Sequence, residues 1–126
     1  MNEKLIFVVD DDPLVTTLVE KRLVAAGFNV RAFAYGEECV AALDERPDLI
    51  ILDYWFIREG SLPKNGMQVF EDISRITPGL PVIMFSAQEN GELVLELARK
   101  GIADYVIKDA NLIGNLLYAI KEILHL

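Results

Sequence analysis

The chain has 126 residues, enough for one domain of ordinary size, and 52% of them are hydrophobic, which excludes a disordered tail and provides for a real core. Twenty acidic residues against 12 basic ones give a net charge of −8. This argues against direct contact with nucleic acid, whose binding needs phosphate neutralisation, and against anionic membranes, but not against service to a separate DNA-binding partner. The single cysteine, Cys39, cannot form an internal disulfide. It reads as a small buried or half-buried helix residue rather than a reactive thiol, and suits a cytoplasmic setting. The N-terminal MNEKLIFVV holds too short an apolar stretch for a signal peptide or a membrane span, and no other run comes near spanning length.

Short β-rich runs alternate with stretches of helical period. The strand-like runs are Lys4 to Val9, Asn29 to Ala34, Leu49 to Asp53, Pro81 to Ser86 and Ile102 to Ile107. The first, third and fourth are continuously apolar, as strands buried on both faces should be. Asp12 and Pro13 read as the N-cap and first residue of a helix in which Leu14, Leu18 and Val15, Val19, Leu23 recur at helical spacing until Gly27. Further helices are expected over Gly36 to Glu45, Gly66 to Ile76, Glu92 to Lys100 and Leu112 to Leu124, the last with Leu116, Ile120 and Ile123 or Leu124 inward. This βα alternation implies an α/β fold, a five-stranded parallel sheet with right-handed crossovers and helices on both faces. The elements fill the length, so one domain over residues 1–126 is expected, with no room for an effector domain.

Ligands of open parallel sheets bind beyond the carboxyl ends of the strands. Asp10, Asp11, Asp53, Ser86 and Lys108 all fall at such ends. Clustered carboxylates repel: two charges about 4 Å apart cost roughly 4 kcal/mol at an effective dielectric of about 20. A hard divalent cation relieves this, and carboxylates plus water favour Mg²⁺ or Mn²⁺. Mg²⁺ keeps positions open for phosphate oxygens, to which Lys108 offers a point charge and Ser86 a hydroxyl. Singly, each residue has an ordinary reading: Asp12 as a helix cap, Asp53 as a turn residue, Lys108 as a solvated charge. Their joint placement at strand ends points to a Mg²⁺ and phosphoryl site.

The motifs VVDDDP, LIILD, PVIMFSA and GIADYVIKD, in this order and register, resemble the receiver domain of two-component response regulators over essentially the full length. The resemblance implies a doubly wound, flavodoxin-like (βα)5 fold with strand order 2-1-3-4-5. It implies that Asp53 takes a phosphoryl group from a histidine kinase or histidine phosphotransfer protein. Asp11, Asp53 and the backbone carbonyl of Trp55 would ligate Mg²⁺, and Asp10 would hold a metal-bound water. Lys108 and Ser86 would grip the phosphoryl oxygens. Tyr105 would swing inward as Ser86 moves, altering the surface of the fourth helix, fifth strand and fifth helix for a downstream effector protein. Catalysis would be confined to the chain's own phosphoryl transfer and dephosphorylation. Taken alone, Tyr105 is an aromatic strand residue.

The chain departs from the family pattern in three places. Thirteen positions separate Asp53 from Gly66, roughly five more than is usual in the family, and long functional loops are uncommon. The extra residues lie in YWFIREGS, Tyr54 to Ser61, which reads either as a loop packed on its own apolar side chains or as a lid that slows hydrolysis of the aspartyl phosphate. Asp109 stands where many receivers have a proline, often after a cis bond. A cis bond before Asp109 would cost about 2.5–4 kcal/mol, so trans is expected. Leu93 and Leu95 flank the expected core positions Val94, Leu97 and Ala98, and Tyr118 is expected to point outward. These are scattered exposed residues, or else a partner or homodimer surface strengthened by phosphorylation.

Three other classes compete. An Asp-nucleophile phosphatase resembling the haloacid dehalogenase group needs an acid/base Asp two residues after the nucleophile, where this chain has Trp55. A flavin-binding electron carrier of the same topology needs a first loop that welcomes phosphate, and Asp10, Asp11 and Asp12 would repel one. A receiver-like interaction module working without phosphorylation would not need the full set Asp10, Asp11, Asp53, Ser86 and Lys108. A receiver excised from a longer regulator or hybrid kinase would show the same residues.

Overall fold

The computed structural model describes residues 4–54, 65–87 and 90–126. In chain order these form β1 (Leu5–Val9), α1 (Pro13–Ala25), β2 (Asn29–Phe33), α2 (Gly36–Ala41), a 3-10 turn (Leu43–Glu45), β3 (Leu49–Asp53), α3 (Gly66–Ile76), β4 (Val82–Ser86), α4 (Gly91–Arg99), β5 (Asp104–Ile107) and α5 (Leu112–Ile123). The strands make one parallel sheet in the order β2-β1-β3-β4-β5, the doubly wound arrangement expected from the alternation.

Every residue of β3 and β4 is buried, and so is β1 beyond Leu5. Alternation of side chains across the sheet divides the interior into two halves. Phe7, Val9, Ile50, Leu52, Val82 and Met84 face α2, α3 and α4, while Ile6, Val8, Leu49, Ile51, Ile83 and Phe85 face α1 and α5. Asp48 ties the amino end of the sheet. Its carboxylate accepts from the Leu5 N–H at 2.8 Å and its own N–H donates to the Leu5 carbonyl at 2.8 Å. This fixes the β1–β3 register, and hence which residues reach the carboxyl edge together.

The helices start where their caps place them. The Asp12 carboxylate accepts from the Leu14 N–H at 2.9 Å, with Pro13 as first helical residue. Asn65 and Gln68 form a reciprocal capping box at the start of α3, at 3.0 and 2.9 Å. Asn90 accepts from the amides of Glu92 and Leu93. Gly27, at φ 99°, allows the left-handed turn that leads α1 into β2.

Four details differ from the sequence reading. The second helix stops at Ala41 and continues only as a 3-10 turn, ended by Arg46 in the left-handed conformation. In α1, Val19 and Leu23 are buried whereas Leu14 and Leu18 face outward, Leu14 at 80% exposure. In α4 the inward residues are Leu97 and, partly, Leu93, while Ala98, expected in the core, is exposed. A nine-residue helix with five apolar positions does not fix its own rotation; the packing of Leu93 and Leu97 onto the sheet does. In α5, Ile123 and Leu124 both pack inward. Leu95 and Tyr118 are exposed as expected. Cys39 is buried on α2, and burial pushes its thiol up to about 12, in keeping with the unreactive reading. Among the described residues no peptide bond is cis, so Lys108–Asp109 is trans.

Candidate phosphoryl and metal site

Five polar residues meet at the carboxyl edge of the sheet because four strand ends lead there. Asp10 and Asp11 follow β1, Asp53 closes β3, Ser86 closes β4 and Lys108 follows β5. Asp10, Asp53 and Ser86 are buried polar residues in an otherwise apolar interior. Carboxylate oxygens of Asp10, Asp11 and Asp53 all lie within 4.8 Å of one another.

Lys108 is the countercharge. Its ammonium donates to Asp10 Oδ2 at 2.6 Å and to Asp53 Oδ1 at 2.9 Å. It also stands 4.6 Å from the centroid of the Phe85 ring, a cation–π contact. The backbone holds this geometry. The Lys108 N–H donates to the Ser86 carbonyl at 2.8 Å, the Asp10 N–H to the Phe33 carbonyl at 3.0 Å and the Asp12 N–H to Asp10 Oδ1 at 2.8 Å. No buried side-chain polar atom among the described residues lacks a partner.

Burial and charge pull against each other here. Desolvation holds the Asp10 carboxyl above its ordinary range, and the bonds from Lys108 and the Asp12 amide only partly offset it. For Lys108, burial pulls downward, but the bonds and charges of Asp10 and Asp53 outweigh it and keep the ammonium above its ordinary value.

Lys108 pairs with Asp10 and Asp53, and Asp11 adds a third carboxylate, which leaves the cluster negative and rich in hard oxygen donors. That donor set fits a hard divalent cation such as Mg²⁺. A cleft of about 130 Å³ opens beside Asp10 and Asp11, bordered by Pro13, Thr16 and Phe33.

Asp10, Asp11, Asp53, Ser86 and Lys108, all expected at the site, are therefore brought together. Tyr105 lies off the edge, on β5, half-buried against the core. Trp55, and the segment to Ser61 beyond Tyr54, lie outside the described residues. Two contributors had no sequence signal of their own: Phe85, which lies beneath the lysine, and the Asp12 amide, which props Asp10. Asp12 showed in the sequence only as a cap.

A doubly wound sheet with an acidic cluster and a lysine at its carboxyl edge defines a class of phosphoryl-handling signalling domains. Residues 6–121 match the family described as the response regulator receiver domain, and the chain belongs to that family. It is 32% identical over 103 residues to the two-component response regulator ORR27 of Oryza sativa subsp. japonica, covering 82% of this chain and 16% of that one. It superposes on a CheY-like response regulator receiver domain protein from Methanospirillum hungatei with a TM-score of 0.86 at 25% identity, over 98% of this chain and 95% of that one. On the receiver domain of NtrX from Brucella abortus the TM-score is 0.84 at 30% identity, over 95% and 98%. The chain spans 16% and 23% of the length of the first curated relatives it matches. Among the described residues no helix is long and apolar enough to cross a membrane.

Proposed function

We propose that the chain is a phosphorylation-controlled switch whose phosphoacceptor is Asp53. The observation that carries this reading is the buried Asp53 carboxylate held by Lys108 within a group of three carboxylates. A phosphohistidine of a histidine kinase or phosphotransfer protein would be the donor. Its P–N bond breaks as a P–O bond forms to an Asp53 oxygen, and the imidazole leaves. Asp11 and Asp53 would hold Mg²⁺ directly and Asp10 through water; the bound ion supplies positive charge to the transferring phosphoryl oxygens. The Trp55 carbonyl is the remaining expected ligand.

Lys108 already bonds Asp53, so it stands ready to pair with a new phosphoryl oxygen, and Ser86 supplies a hydroxyl one strand away. Movement of Ser86 would draw Tyr105 inward and reshape the face of α4, β5 and α5. That face carries the exposed Leu95 and Tyr118, which suits an effector protein or a second phosphorylated copy. Water attack on the aspartyl phosphate would reset the switch, and no other substrate is turned over.

Incubation with Mg²⁺ and acetyl phosphate, followed by intact mass, tests this. One phosphoryl adduct is expected, absent in Asp53→Asn and absent without Mg²⁺. An adduct that persists in Asp53→Asn would refute the assignment.

A further inference from the structure

Lys108 reaches the phosphoacceptor from two strands away. In the sheet, β4 lies between β3, which ends in Asp53, and β5, which Lys108 follows. Neighbouring strands stand about 4.8 Å apart, so the side chain has to cross roughly 10 Å to bring its ammonium against the Asp53 carboxylate. The crossing runs over β4, and the β4 side chain beneath it is Phe85.

The register shows why. Phe85 is the partner of Asp53 on one side and of Val106 on the other. Partners in neighbouring strands point to the same face of a sheet, here the face under α1 and α5 to which Phe85 and Val106 belong. Lys108 stands two residues beyond Val106 and returns to that face. Its ammonium sits 4.6 Å from the Phe85 ring centroid while it donates to Asp53 Oδ1 at 2.9 Å. The ring itself is fixed. Phe85 is fully buried, and its carbonyl accepts from the Tyr54 N–H at 3.2 Å, which ties its backbone to the strand end that carries Asp53.

As a partner for the ammonium, the ring differs from the carboxylates. A lysine stem is long and flexible, and a hold made only by carboxylates weakens when negative charge leaves one of them. The face of an aromatic ring attracts a cation whichever oxygen carries that charge. The ring therefore matters most during transfer, when the grip of Asp53 is loosest.

We propose that Phe85 is a positioning residue of the phosphoryl site: its ring is the floor on which the Lys108 side chain crosses β4, and it holds the ammonium in place while negative charge passes from the Asp53 carboxylate to the phosphoryl oxygens. This rests on the phosphoacceptor reading above.

The test is the initial rate of adduct formation with acetyl phosphate and Mg²⁺, followed by intact mass. Phe85 is replaced by pentafluorophenylalanine, which keeps a ring of nearly the same shape but reverses the charge on its face, and separately by leucine. The fluorinated ring is expected to slow the reaction by about fivefold or more, in line with a desolvated cation–π contact. Neither replacement is expected to slow it further in a Lys108→Met background, as for two residues acting as one unit. An unchanged rate with the fluorinated ring overturns the proposal even if Phe85→Leu is slow, since lost packing alone gives that. Equal slowing by Phe85→Leu with and without Lys108 overturns it too, and this comparison stands even if the fluorinated chain folds poorly. A wild type without any adduct would defeat the phosphoacceptor reading, and this role with it.

Discussion

Two lysines close ion pairs at opposite ends of the sheet. At the carboxyl end, Lys108 meets Asp10 and Asp53 at 2.6 and 2.9 Å, with side-chain exposures of 18%, 1% and 5%. At the amino end, Lys100 follows α4 and meets Glu71 of α3 at 3.1 Å, with exposures of 41% and 52%. It sits on the rim of a groove bordered by Pro78, Gly79 and Pro81. The bonds are of similar length, yet the pairs are different objects. Water screens the second, whose loss strands no charge. The first is enclosed, so each member depends on the others for the solvation it gave up. Bond length does not reveal a functional pair; enclosure does.

The largest expected effect follows from that dependence. Lys108→Met leaves buried carboxylates without a cation and should lower stability by about 3 kcal/mol in chelator. Denaturant unfolding would measure it, and Mg²⁺ should restore part of the loss. The pH dependence has a definite sign. The ammonium is held above its ordinary 10.5 in the folded state. Its contribution is therefore fully present below pH 10.5 and lost as pH rises through the folded value. The stability gap between wild type and Lys108→Met should be flat from neutral pH up to that value, where the carboxylates stay ionised, and narrow above it.

Metal should act next. At roughly 100 times its Kd, Mg²⁺ bound at the proposed site should stabilise the folded chain by about 2.7 kcal/mol, because the unfolded chain lacks the site. A rise in melting temperature is expected in wild type and a much smaller one in Asp11→Ala. An equal rise in both would remove Asp11 from the ligand set.

The smallest effect belongs to the exposed pair. Lys100→Ala should cost about 1 kcal/mol or less and leave both the phosphoryl adduct and the Mg²⁺ response unchanged. A loss as large as that of Lys108→Met would erase the distinction between the two pairs.

The same contrast explains what the sequence displayed. β1, β3 and β4 are continuous apolar runs because both faces are covered, and each ends in a polar residue at the functional edge, so Asp10, Asp11, Asp53 and Ser86 were legible from chain order alone. Lys108 was legible as a strand-end cation, but its grip on both Asp10 and Asp53 was not, because that depends on three strands converging. Rotation of α4 was not legible either. Leu93, Val94, Leu95, Leu97 and Ala98 give no single phase, and the turned-in pair follows from the surface beneath. Tyr54 looked like one of a run of bulky residues. Counting alternate positions from Leu52 places it on the α4 side, but the strand reading stopped at Asp53 and the count was not carried past it.

The Gly66 N–H to Tyr54 carbonyl bond has a practical consequence. The chain leaves the sheet at Tyr54 and re-enters helix α3 at Gly66 through two points pinned to each other at 2.6 Å. A peptide inserted between such points adds little closure cost, since each doubling of an unstructured insert's length costs only about 0.6 kcal/mol. Tyr54 and Gly66 are thus junctions for engineering: a reporter peptide spliced between them would be tethered next to Asp53 while the sheet keeps its register.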